Sequence, residues 1–343
     1  MDISGSELNL TYTLPLTTST FNIGECKNYI DSIEPGIRKD LMLAEYYQLT
    51  ARYRDTLDIV SKYLHNEDIC VRGTAMVLYI FSSISLGNMN DIKKYIGYAK
   101  EFKTLCYKDD ELKKDRRLNA QCILIINLIY ISLHLEMDDT SDLMEEIKHL
   151  EGGLKRMATY IVCHKYYLRG EYNRAIGMIE GILNYEDKDY PVIDNYLHLL
   201  ICVNHMSEDK INQAEKYYEK IYKQFQKEIF IHIYVEHYML LRGLMERYMR
   251  QSNAELYNKI AKLANKFLKN WVKVHNSITN DKIADNLTSM EYIVAMLYKS
   301  NWTVNKISRY IGISDNTVKK HIKSIYYKLG INKKSELALH ITN

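Results

Sequence analysis

Leu287-Thr288-Ser289-Met290-Glu291-Tyr292 opens the stretch, residues 287–343, around which the rest of the chain is arranged. Thr288 can cap the first turn of a helix, Glu291 three residues on can complete a capping box, and Leu287 with Tyr292 can close a hydrophobic staple. Apolar residues recur at Ile293, Val294, Met296 and Leu297, one face of a helix, and Asn301 can take the left-handed conformation that ends it. Thr303 caps a second helix with Val304, Ile307, Tyr310 and Ile311 inward, and Gly312 breaks it. Ser314 caps a third, Asp315 to Leu329, stopped by Gly330, and a short fourth helix is expected over 335–341. Helix, tight turn with Gly, helix is the helix-turn-helix layout, in which the second helix of the pair enters the DNA major groove.

The third helix has side chains suited to that task. Val318, Ile322, Ile325, Tyr326 and Leu329 form the expected buried stripe, and Lys319, Lys320, Lys323 and the more distal Lys328 project from the remaining surface. Lysines near the start of such a helix reach guanine edges or phosphates, and capped helix starts present backbone N–H groups to phosphate. A solvated lysine face on an ordinary helical hairpin would explain the charge alone. It does not explain the charge, the caps and the turn together.

These residues carry a family resemblance. Leu287-Thr288-x-x-Glu291, Ile307-Ser308, Ile313-Ser314-x-x-Thr317-Val318-Lys319-x-His321, Tyr326-x-Lys328-Leu329-Gly330-Ile331 and Lys334-x-Glu336-Leu337 resemble, in that order, the LuxR-type (GerE- or FixJ-type) DNA-binding domain. The resemblance covers about the last sixth of the chain. Three positions depart from it. Ser308 stands where alanine is usual, which should slightly weaken helix packing; Asn301 stands where glycine is common and can still make the turn. Lys334 replaces a frequent arginine, keeping the charge and losing a bidentate fork. The resemblance implies that Lys319, Lys320 and Lys323 face the major groove. It also implies that Thr303, Ser314, Thr317, Lys328, Lys333 and Lys334 hold phosphates, that His321 is structural or lies near the backbone, and that the fourth helix pairs two copies on an inverted repeat.

Charge is distributed unevenly. The chain of 343 residues carries a formal net charge of +3, yet from Asn286 onward nine basic side chains face three acidic ones, so the remainder is net acidic. Positive charge gathered at one end is the footprint of a nucleic-acid module joined to a body that does not bind nucleic acid. The length suits one large and one small domain, and 47% hydrophobic with 26% charged residues is an ordinary globular composition. Only three prolines leave helices uninterrupted, so an all-helical chain is expected. Cys26, Cys70, Cys106, Cys122, Cys163 and Cys202 are scattered without a C-x-x-C pair and read as buried thiols in a reducing compartment. The N-terminus lacks the basic start and apolar run of a secretory signal, and the apolar run 122–133 is too short to span a membrane. A cytoplasmic protein without a membrane partner is expected.

Upstream, residues 1–36 read as a polar, turn-rich arm, in which 8–16 could be a short strand or an extended segment. From 37 to 271 amphipathic helices follow in pairs. The clearest unit is Tyr166-Tyr167-Leu168-Arg169-Gly170-Glu171-Tyr172-Asn173-Arg174-Ala175-Ile176: Gly170 permits the turn, Tyr172 fills the space beneath it and Ala175 permits close approach. This unit resembles the tetratricopeptide (TPR) repeat around its central turn. Weaker copies place Thr56, Ile92, Ala175 and Ala214 at matching positions, 36, 83 and 39 residues apart, the middle gap covering two repeats. Such spacings fit helical arrays, whose periods start at about 34. The hidden unit falls in 117–150, where Met137-Asp138-Asp139 is a poor turn signal. Residues 272–286 read as a linker, and the fold class expected is an all-α, TPR-like solenoid followed by a four-helix LuxR-type domain.

Other chemistries find little support. No Gly is followed by Lys, which excludes a P-loop, and a helical N-terminal region does not suit a phosphoacceptor receiver. His232, Glu236 and His237 are spaced as neither zinc-protease order, and His198 and His205, seven apart on one helix face, are explained as core or solvent-facing histidines. The expectation is therefore no enzyme, no cofactor and no metal. The 30 tyrosines read chiefly as packing residues, or as the lining of a concave face that takes a peptide or partner helix. Two functions remain. One is a regulator that binds double-stranded DNA as a homodimer and senses a peptide, small molecule or protein effector. The other is an interaction adaptor whose C-terminal domain docks a partner instead of DNA.

Overall fold

The computed structural model describes residues 11–108, 110–133, 135, 141–185, 188–279 and 286–341, with backbone alone at 89–95, 110, 111, 141 and 142. Every regular element among these is helical. In order they are α1 (Cys26–Ser32), α2 (Ile37–Leu49), α3 (Tyr53–Val60), α4 (Ile69–Leu86), α5 (Met89–Lys108), α6 (Asp110–Lys114), α7 (Arg116–Ser132) and α8 (Ser141–Glu146). After a 3₁₀ turn (Ile147–His149) come α9 (Gly152–Leu168), α10 (Tyr172–Tyr185), α11 (Pro191–Ser207), α12 (Ile211–Phe225), α13 (Ile231–Ser252) and α14 (Ala254–Ile278). The C-terminal region adds α15 (Ser289–Lys299), α16 (Val304–Ile311), α17 (Asp315–Leu329) and a 3₁₀ segment (Lys334–Leu339).

Consecutive helices pack in the manner of a repeat array, and the α9–α10 hairpin shows why. Gly170 sits at φ +76° and its N–H donates to the Tyr167 carbonyl at 2.9 Å, while the Glu171 N–H donates to Tyr166 at 2.9 Å. These bonds satisfy the last carbonyls of α9 and reverse the chain. Ala175 is fully buried just beyond, as are the matching Thr56 and Ala214; the side chain of Ile92 and the segment Met137-Asp138-Asp139 lie outside the described residues.

Helix α4 is apolar on every side and buried, the pattern of a helix at the centre of a core. Its length and hydropathy would also suit a membrane span, but 89% of that window is buried inside the protein. The run over 122–133 lies in α7, buried beside it.

The array closes on itself. Helix α14 returns to α4 and α7, where Asn270 Nδ2 donates to the Ile84 carbonyl (2.8 Å) and Trp271 Nε1 donates to the Ser132 carbonyl (2.9 Å). Helix α13 meets α2 and α3 through His232, whose ring nitrogens lie 3.3 Å from Gln48 Nε2 and 3.1 Å from Tyr53 Oη. The N-terminal segment is built into this ring: Leu14 and Leu16 are buried, and Glu45 accepts from the N–H groups of Leu16 (2.8 Å) and Thr17 (2.9 Å). Residues 13–18 form turns rather than a strand, and 8–10 lie outside the described residues. Helix α14 runs past Trp271 to Ile278, through the first part of the stretch read from sequence as a linker, and 280–285 lie outside the described residues.

Candidate nucleic-acid interface

Each helix of the C-terminal region starts on a side-chain cap. The Thr288 hydroxyl accepts from the Glu291 N–H (3.2 Å) and the Glu291 carboxylate accepts from the Thr288 N–H (2.7 Å), the reciprocal capping box. Thr303 accepts from the Lys306 N–H and Ser314 from the Thr317 N–H, each at 3.2 Å. Asn301 takes φ +64° after α15, and Gly312 and Gly330 take φ +76° and +65° after α16 and α17. Each cap and stop stands at the residue expected. The last element differs: it is a 3₁₀ segment beginning at Lys334, with Glu336 drawn back to accept from the N–H groups of Asn332 and Lys333.

Glu291 holds the domain together. Besides its cap, it accepts from Ser324 Oγ and from Lys328 Nζ, both at 2.6 Å, so one carboxylate ties α15 to two turns of α17. Burial works against its charge, yet Lys328, Ser324 and Thr288 hold its carboxyl down to about 2. On α17, Val318 and Ile325 are fully buried, whereas Ile322, Tyr326 and Leu329 are half-buried at the edge of the core. Ser308, where the resemblance favours alanine, has its own use. It is buried and donates to Asp315 Oδ1 at 2.5 Å, fastening α16 to the first turn of α17.

The remaining surface of α17 is free. Lys319, Lys320 and Lys323 are exposed, and none has a hydrogen-bond or ion-pair partner among the described residues. Ser314 and Thr303 are exposed beside the first N–H groups of their helices, and the Ser314 and Thr317 hydroxyls lie 2.8 Å apart. Lys333 is exposed. The other two basic residues singled out from sequence are engaged. Lys328 is paired with Glu291, and Lys334 donates to Asn301 Oδ1 (2.9 Å) with its ammonium 4.6 Å from the Tyr298 ring centre. His321 is half-buried, and burial keeps its imidazole below the ordinary range, with Arg242 of α13 adding to that effect.

The domain is docked on the array through α15 and α16. A Cβ at Gly243 of α13 would overlap the Tyr310 carbonyl, so backbone meets backbone at that point. Lys306 Nζ donates to the Ser207 carbonyl (2.8 Å) at the end of α11 and sits 4.0 Å over the Trp302 ring. Sequence reasoning missed this contact: Gly243 inside the helix pattern of α13 does not by itself signal it, since Gly97, Gly177 and Gly181, also in helices, have open space where a Cβ would sit.

Residues 285–341 match the family model described as GerE, bacterial regulatory proteins, luxR family. This stretch is a LuxR-family helix-turn-helix domain. Within it α16 and α17 are the helix-turn-helix pair, and the LuxR-type α17 is the one whose lysines are uncovered. A curated relative, the probable transcriptional regulatory protein SgaR of Hyphomicrobium methylovorum, is 36% identical over 66 residues, which are 19% of this chain and 31% of the relative. The chain thus spans less than a third of that relative's length. No solved structure matches the chain.

Proposed function

We propose that the protein is a transcription regulator that grips duplex DNA with α17 while the closed array senses an effector and governs the grip. The observation that carries this reading is that docking engages α15 and α16 but leaves Lys319, Lys320 and Lys323 exposed and unpaired among the described residues. In this reading the three lysines enter the major groove, and Thr303, Ser314, Thr317 and Lys333 contact phosphates. Lys328 and Lys334 set register only by sharing their ammonium groups with Glu291 and Asn301. Two copies bind an inverted repeat with recognition helices one helical turn apart, about 34–36 Å. The exposed Leu339 (72%) and Tyr327 (88%) of the LuxR-type domain supply apolar surface for that pairing. The regulator acts in the cytoplasm, where its six buried, free cysteines stay reduced. The effector is a peptide, small molecule or protein partner. Titrating the full chain against a random 30-base-pair duplex at several salt concentrations tests the reading. Affinity falling steeply with salt supports it, and no retention at low salt rejects it.

A further inference from the structure

The helices border a partly open cavity of about 240 Å³ whose wall is shared between the array and the LuxR-type domain. A single water needs roughly 10–15 Å³ on the same measure, so the space is large enough for a multi-atom ligand. Most of the wall is aliphatic or aromatic, with Trp271 of α14 and Phe81 of α4 among it. One polar cluster interrupts it. Tyr196 donates to Glu236 Oε2 (2.9 Å), His232 Nε2 lies 3.2 Å from Glu236 Oε1, and Tyr160 Oη lies 3.2 Å from His237 Nε2. Burial opposes its charge, but His232 first, then His237 and Tyr196, hold the Glu236 carboxyl below the usual range, while burial lowers the His237 imidazole against the pull of Glu236. A second buried carboxyl, Glu45, also borders the space, and burial pushes it up to about 7 despite three hydrogen bonds. Neither Lys nor Arg contributes to the wall among the described residues.

We infer that this cavity is an effector site for an apolar molecule bearing a primary ammonium group, the ammonium seated on Glu236 and the apolar body against Trp271. An ionised carboxylate has about four lone-pair positions, and the contacts above leave acceptor capacity on both oxygens of Glu236. With neither Lys nor Arg in the wall among the described residues, a carboxylate or phosphate head group would find no guanidinium or ammonium to pair with there. Such an occupant touches the regulator's output directly. Tyr292, Ile293 and Met296 of α15 close the cavity, and Glu291, the residue before them, is the clamp on Ser324 and Lys328 of α17. The inference rests on the proposal that the array senses an effector, and it names the site and chemistry. An alkylamine and the free N-terminus of an apolar peptide present the same head group.

The test follows Trp271 fluorescence in the full-length protein, with Trp271→Phe as the control for the signal's source. The probes are n-octylamine, octanoate, Leu-Leu-Leu-amide and its N-acetylated form. Saturable change with octylamine or the free-amine peptide, at least about tenfold weaker with octanoate or the acetylated peptide, supports the site; tenfold is 1.4 kcal/mol. Response to octylamine alone assigns a small amine, and response to the free-amine peptide alone assigns a peptide. Glu236→Gln, nearly isosteric, is expected to erase the preference for amines while leaving the melting transition cooperative. Met239→Trp, which fills the space from α13, is expected to abolish the response. Equal response to octanoate, or none to any probe, overturns the site. Gel shifts on the same samples separate the two ideas. DNA binding without a Trp271 response removes the cavity alone, and a Trp271 response without DNA binding removes the regulator reading alone.

Discussion

The LuxR-type domain and the array are both helical, but they are specified differently. All three α-helices of the small domain begin on a side-chain cap, and its turns end on Asn301, Gly312 and Gly330. In the array α4, α7 and α14 are capped by Asp68, Asp115 and Asn253, whereas α2, α3, α9, α12 and α13 start with no side-chain cap. A domain of under sixty residues has little core to spare, so local hydrogen bonds fix the pose of α17. The array positions its helices by burial over a much larger core and can leave their ends to solvent.

Predictions that break or sharpen this contrast begin with the recognition surface. Lys319→Ala with Lys320→Ala is expected to cost on the order of 1–3 kcal/mol per lost base contact, a combined loss of affinity of about thirtyfold or more in gel shifts. Circular dichroism should be unchanged, because neither side chain has a partner among the described residues. Glu291→Gln comes next. Losing a charged acceptor shared by three donors should destabilise by about 1.5–3 kcal/mol, read as a lower melting temperature. The folded carboxyl titrates near 2, below its unfolded value of about 4.3, so its stabilisation is complete above that value and lost as pH falls towards 2. The gap in melting temperature between wild type and variant should therefore narrow over that window.

Gly243→Ala probes the seam between the regions. The added methyl meets the Tyr310 carbonyl, a clash costing about 1–3 kcal/mol, and small-angle scattering should show the domain undocked with both parts helical. Tyr310→Phe should do the opposite. The Tyr310 hydroxyl is buried without a hydrogen-bond partner among the described residues, so removing it is expected to raise the melting temperature by the equivalent of about 1 kcal/mol. Lys334→Ala should have the smallest effect: weaker binding to all duplexes alike and a salt slope lower by about 1. An unchanged slope would confine Lys334 to its contacts with Asn301 and Tyr298.

What could be read from the sequence follows the same contrast. The ties of Glu291 to Ser324 and Lys328 and of Asn301 to Lys334 were not legible. The capping and stopping roles of Thr288, Glu291, Thr303, Ser314, Asn301, Gly312 and Gly330, however, act within five residues, and their positions alone located the helices of the small domain. The Gly170 hairpin was legible for the same reason. The closure of the array was not, because it depends on pairs such as Gln48 with His232 and Asn270 with Ile84, more than 180 residues apart. Nor was the cavity, since His232, Glu236 and His237 acquire meaning only when α2, α3, α9 and α11 surround them. Ser308 was legible as a departure, but its bond to Asp315 was not.

Dimethyl sulfate footprinting of the full-length protein on a duplex selected from a random pool tests the central claim most directly, because guanine N7 is exposed only in the major groove. The account predicts N7 protection in two patches centred about 10–10.5 base pairs apart, lost when Lys319 and Lys320 are replaced by alanine. Binding without N7 protection, or protection that survives those replacements, would contradict it.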